Sequence, residues 1–153
     1  MEYSSGSLER VFCARFFDGE PVYEGILQIA RREKIQSGIV YAVGGVRRGG
    51  VVVGPEDPNG PVVPIVRKFD DAREMVAIGT LFADDGQPAL HMHGAIGRGD
   101  ETMAGCPRQG LDCYLVLEVF ILEVAGLGAA RKLDPASGLK LLAFDNPTRV
   151  SLT

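Results

Sequence analysis

The sequence predicts one α+β domain built on a largely antiparallel sheet with a helix packed on it. Three observations lead there. One segment carries helical periodicity, while six to eight segments are rich in Val, Ile, Phe and Tyr and are mostly joined by short turns. No internal repeat, low-complexity tract or long linker divides the chain. At 153 residues it is long enough for one real core and short for two. Runs of strands with a single helix define the α+β class.

Taken in order, residues 1 to 6 are small and polar and read as a loose terminus. Leu8 to Phe17 is a strand. Asp18-Gly19-Glu20-Pro21 is a helix-start signal, with Pro21 near the first turn. Val22 to Lys34 is the helix, with Tyr23, Ile26, Leu27 and Ala30 as its apolar stripe, widened by Val22 and Ile29. Arg31, Arg32 and Lys34 complement the dipole at its end, and Ser37-Gly38 stops it. Ile39 to Val46 is a buried strand whose Gly44-Gly45 pair marks a bulge or a close backbone approach. Arg47 and Arg48 then form a solvated turn, with an anion contact as the alternative, and Gly49 to Gly54 the next strand. The Pro/Gly-rich stretch 54–61 is a loop. Val62 to Phe69 is a weak strand, held to an edge by Pro64. Glu74 to Phe82 is a strand, and Asp84-Asp85-Gly86 turns it back. Residues 107–112 are a loop. Tyr114 to Val124 is the most apolar run and reads as a long strand. Its Glu118 and Glu123 fall on opposite faces, so one of them points inward or at an interface. Gly126-Leu127-Gly128 breaks the pattern, and Lys140 to Phe144 adds a short final strand.

The chemistry concentrates in residues 86–107, which hold the only two histidines, His91 and His93. On a strand this spacing sends both imidazoles to one face and Leu90, Met92 and Ile96 to the other. Gly97-Arg98-Gly99-Asp100 closes a hairpin. Closed on Arg98-Gly99, or on all four residues, it places His91 opposite Cys106 and His93 opposite Ala104. Two imidazoles and a thiol then share one side of one hairpin, and those are ligands that zinc takes. The alternative is two polar residues facing solvent or a subunit contact, beside a small core cysteine.

Composition narrows the function classes. A hydrophobic fraction of 46% and a charged fraction of 24% are those of a soluble globular protein. The net charge of −4, with a pI near 5.2, argues against a nucleic-acid binder. Cys13, Cys106 and Cys113 are an odd count and give no disulfide framework. The opening residues lack an apolar signal region, and no run approaches the ~18 apolar residues of a membrane span. The reading is a reducing, cytoplasmic setting.

From about Leu8 to Val124 the chain resembles the plants-and-prokaryotes conserved (PPC) domain in its free-standing prokaryotic form. The resemblance lies in the opening strand and helix, the strand end Val43-Gly44-Gly45-Val46, and above all Gly79 to His93 (GTLFADDGQPALHMH). That segment is similar to the family's G-T-I, D-G-x-P and H-x-H. Glu118-Val119 resembles a later family strand. The resemblance implies a compact subunit assembling as a homotrimer, and a metal site of three histidines. Here Cys106 stands where the third histidine is expected, in Ala104-Gly105-Cys106-Pro107. Thiolate for imidazole keeps a plausible zinc ligand. The AT-hook that accompanies the domain in plants, R-G-R-P, is absent.

The expected function is therefore a trimeric module that holds a divalent metal, zinc first, and binds a small ligand or a protein. The expected ligands are His91, His93 and Cys106. A metal-dependent enzyme of unknown reaction is the alternative, since three protein ligands leave a zinc position open. No general base is assignable, and the deaminase signature of H-x-E with P-C-x-x-C is absent. Glu118 is the best remaining carboxylate, as a partner orienting a histidine or a pocket residue, against the more ordinary reading of a structural role. A DNA-binding regulator rests on family analogy alone.

Overall fold

The computed structural model describes residues 1–60, 62–108 and 110–151. The elements run β1 (Glu2–Tyr3), β2 (Ser7–Phe17), α1 (Val22–Arg32), β3 (Ser37–Pro55), β4 (Pro64–Phe69), β5 (Arg73–Asp84), β6 (Gln87–Arg98), β7 (Glu101–Pro107), β8 (Asp112–Ala125), β9 (Ala129–Leu133), β10 (Lys140–Phe144) and β11 (Thr148–Arg149). The expected class holds: a mostly antiparallel sheet with one helix.

The helix ends earlier than its periodicity suggested. Glu33 caps it, and Lys34 takes a left-handed conformation, φ 58°. The Ile35 amide then donates to the Ala30 carbonyl at 2.9 Å, and the Lys34 amide to Arg31, which satisfies two carbonyls of the last turn. Val22, Ile26, Leu27 and Ala30 are buried from α1, against Phe16, Val40, Leu81, Met92, Leu117 and Ile121 of the sheet. Strands β2 and β3, joined through α1, both pair antiparallel with β8 between them.

Strand β3 organises the molecule. The sequence reading divided it at Arg47-Arg48; it is one bent strand of 19 residues. Its first half pairs with β5 and β8, and its second half with β4 and β7. Since β5, β6 and β7 are also hydrogen-bonded in series, β3-β5-β6-β7 closes on itself. The bend coincides with register shifts against β8 at Gly44/Gly45 and Val46/Arg48. Gly44, at φ 142°, is needed there, because a Cβ would lie 2.5 Å from the Val116 carbonyl oxygen. Arg47 and Arg48 are not in a turn. Arg47 bonds Asp18 and lies over the Tyr114 ring, while Arg48 donates to Asp112.

Among the described residues strand β4 pairs only with β3, the edge position that Pro64 demands. Residues 2–3 are not loose, since β1 pairs with β11. Strand β9 falls in a stretch the sequence reading left irregular. It pairs with β10, and in parallel with the end of β5 through Ala83↔Ala130 and Asp84↔Arg131. No helix among the described residues is long and apolar enough to cross a membrane.

Candidate metal centre

Two turns position the histidine strand. Asp85 and Gly86, both at positive φ (49° and 79°), close β5 onto β6 in the left-handed pair that suits a two-residue hairpin. At the far end the hairpin closes on Gly99-Asp100, with Arg98↔Glu101 as the last pair. Gly99, at φ 58°, occupies the first central position, which a II′ turn reserves for glycine. The expected closure placed this glycine second.

The register therefore shifts by two. Gly94 pairs with Gly105, so Cys106 follows opposite His93 rather than His91. An even shift leaves every side chain on its face. Leu90, Met92 and Ile96 are buried on the inner face, while His91 and His93 lie on the outer one. The His91 and His93 Nε2 atoms are 3.1 Å apart, with the rings edge-on at 89°. Together with the buried Cys106 Sγ, these ligand atoms all lie within 4.8 Å of one another.

The donor set fits a zinc-like ion. Two nitrogens at 2.0–2.1 Å from one tetrahedral ion are about 3.3 Å apart, near the observed separation. The equivalent nitrogen–sulfur edge is about 3.6 Å, so Sγ closes on the pair by a movement of about 1 Å. Cys106 is held by β7 against β3, through Val52↔Cys106 and Val51↔Pro107. That approach depends on Gly105, where a Cβ would meet the Val52 carbonyl oxygen at 2.1 Å.

The three side chains open on a cavity of 570 Å³. The other polar side chain among its described lining residues is Arg108, whose amide donates to the Gly50 carbonyl at 2.9 Å. A second arginine reaches the histidines from β9. Arg131 donates to Thr80 Oγ1 at 3.0 Å, and Thr80 is the direct cross-strand partner of His91. Burial, then Arg131, His93 and Arg108 in turn, hold His91 below the ordinary imidazole range. Burial likewise lowers the Arg131 guanidinium. Tyr23 of α1 donates its hydroxyl to the Leu90 carbonyl, tying the helix to the histidine strand, and burial raises its phenol.

Glu118 is not brought to this cluster. It lies on the outer face of β8, opposite Val43 in β3 and Arg15 in β2. Val43 pairs with Val76, and Val76 with Ala95, so three strand spacings, roughly 14 Å, separate it from the histidine strand. Glu123 is the inward carboxylate, and Arg10 meets it at 2.5 Å. No carboxylate is among the cavity's described lining residues. Arg108 and Arg131 went unrecognised in the sequence, the first in a segment read as a loop, the second in an unread strand.

The Plants and Prokaryotes Conserved (PCC) domain profile matches residues 3–125. No curated protein matches the sequence. Among solved structures, the chain is similar to a metal-containing protein from Archaeoglobus fulgidus. The TM-score is 0.82 at 20% identity, covering 94% of this chain and 99% of the other. It is also similar to a plant- and prokaryote-conserved protein from Pyrococcus horikoshii, with TM-score 0.80, 23% identity and coverage of 91% and 94%. A protein from Ralstonia eutropha whose name proposes DNA binding gives TM-score 0.73 at 19% identity, over 86% and 90%.

Proposed function

Because the chain belongs to the Plants and Prokaryotes Conserved domain family, we propose that it is a homotrimeric, metal-containing binding module. In this reading His91, His93 and Cys106 hold one divalent ion, zinc before others, and the position left open faces the 570 Å³ cavity. The observation that carries it is the convergence of two imidazole nitrogens and a thiol on one point of the outer sheet face. The metal-containing description of the Archaeoglobus relative supports it. The ion supplies a Lewis-acid position for a ligand atom. This chain's residues orient that ligand and shield it on the β3–β4 side. The two histidines and the thiol are committed to the ion in this reading, and no carboxylate is among the described lining residues to serve as a general base, which favours binding over catalysis. The net charge of −4 opposes a duplex-DNA function.

The same sheet face supports a trimer. Tyr41, Val43, Val76, Ile78 and Phe120 lie side by side across β8, β3 and β5, and all are exposed. Ile78 is the cross-strand partner of His93, so the patch runs up to the metal ligands. Copies of the chain covering this patch would remove its apolar surface from water and enclose the histidines.

Cobalt(II) substitution tests the ligand set. The cobalt-loaded protein should show a thiolate-to-cobalt charge-transfer band that Cys106→Ser abolishes. A cobalt-loaded protein without that band would remove Cys106 from the site.

A further inference from the structure

We propose that the cavity beside His91, His93 and Cys106 takes a small amphipathic anion, a monocarboxylate with an apolar body, and that Arg108 receives its charged end. The metal half of the anchor rests on the reading above; the Arg108 half does not.

Charge is the first argument. The polar side chains among the described lining residues are His91, His93, Cys106 and Arg108, with no carboxylate. Arg47, Arg48, Arg73 and Arg98 each hold an acidic partner. Among the described residues, neither Arg108 nor Arg131 has a carboxylate within ion-pair distance. Arg131 spends a donor on Thr80, at the flank of His91. A divalent ion, one thiolate and one guanidinium leave the site net positive, and the described lining offers nothing to balance it. An anion does so with charge-assisted bonds to a fork that suits a carboxylate.

The wall is the second argument. Apart from the polar groups, the described lining includes Val52, Val53, Val62, Pro64 and Leu139. Val53, Val62 and Leu139 are 37%, 57% and 43% exposed, so the wall is open to a ligand. At 570 Å³ the cavity has the size of a small-molecule site, about 300–1,000 Å³. Inorganic phosphate would match the charge and leave the valines wet. A neutral apolar molecule would cover the valines and leave the exposed Arg108 guanidinium without a counter-charge. A carboxylate with an aliphatic or aromatic body satisfies both walls.

The test titrates the zinc-supplied protein calorimetrically with hexanoate, hexanamide and acetate, with metal content measured on each sample. Hexanoate should bind at least about tenfold tighter than either of the others. Arg108→Gln should keep wild-type metal content and weaken hexanoate about tenfold or more, leaving hexanamide unchanged. Equal binding of hexanoate and hexanamide, equal binding of hexanoate and acetate, or unchanged affinity in Arg108→Gln would overturn the proposal. The metal measurement separates the two claims. Metal-free protein that prefers hexanoate through Arg108 sinks the metal reading and supports the anion site. Metal-loaded protein that ignores hexanoate sinks the anion site alone.

Discussion

Replacing Gly105 with alanine should damage both the fold and the metal centre, and the structure sets the scale. The added methyl would lie 2.1 Å from the Val52 carbonyl oxygen and 2.9 Å from its carbon. A relaxed carbon–oxygen contact needs about 3.3 Å or more, so β7 and β3 must part by roughly 1 Å. The obstacle is backbone against backbone, next to the Val52↔Cys106 and Val51↔Pro107 pairs that join these strands, so no flexible side chain can absorb it. Overpacking of this kind costs about 1–3 kcal/mol. Cys106 is the next residue, and its Sγ would move by a comparable distance. Metal sites tolerate about ±0.2 Å, and misplaced support for a ligand costs about 10–100-fold in affinity. Urea unfolding of the metal-free protein, at fixed protein concentration, should show a lower midpoint with an unchanged slope. Competition with a chromophoric chelator should show the loss of zinc affinity. Gly50→Ala is the control, because its nearest neighbour is the Val66 Cγ1 methyl at 3.4 Å. A Gly105→Ala protein with full stability and full zinc affinity would refute the claim that this close approach positions Cys106.

Three further outcomes follow from the same geometry. Cys106→His should retain metal, since an imidazole opposite His93 restores a three-nitrogen set, and elemental analysis reads the outcome. Ile78→Glu puts a charge beside His93 in the exposed apolar patch and should convert a trimer to monomers in light scattering; a variant that stays trimeric would place the interface elsewhere. Asp71 is held below the usual carboxylate range, first by the hydrogen bond from Arg73 and then by Arg98. A depressed folded pKa contributes stability that is complete above the unfolded value, about 3.9, and is lost as pH falls through the lower folded one. Asp71→Asn should therefore be less stable than wild type near neutral pH, with the gap closing in strong acid in pH-resolved unfolding curves.

Much of the site was legible because a strand has period two. The alternation of Leu90, His91, Met92 and His93 fixes the outer face without knowledge of the partner strand. The partner register was not legible, because Arg98-Gly99 and Gly99-Asp100 are both acceptable turns by composition, and only the φ of Gly99 distinguishes them. The two closures differ by an even number of residues, so Cys106 reached the right face opposite the wrong histidine. Strand β3 read as two strands because Arg47-Arg48-Gly49-Gly50 looks like a solvated turn. Asp18 and Asp112, distant in sequence, keep those arginines within a continuous strand. Arg131 was invisible for a related reason: β9 is short and cationic, and part of its pairing is a parallel match to β5, which local periodicity does not encode. Glu118 was misplaced because a carboxylate in an apolar run signals an unusual environment, but not which strand will lie beside it.

The most direct test is the metal content of the wild-type protein, produced with zinc available and purified without chelator. Elemental analysis should find one divalent ion per chain, predominantly zinc, and His93→Ala purified in parallel should retain only a small fraction of it. Folded wild-type protein with no stoichiometric metal, or a His93→Ala variant that keeps its full complement, would contradict the assignment of His91, His93 and Cys106 as a metal centre.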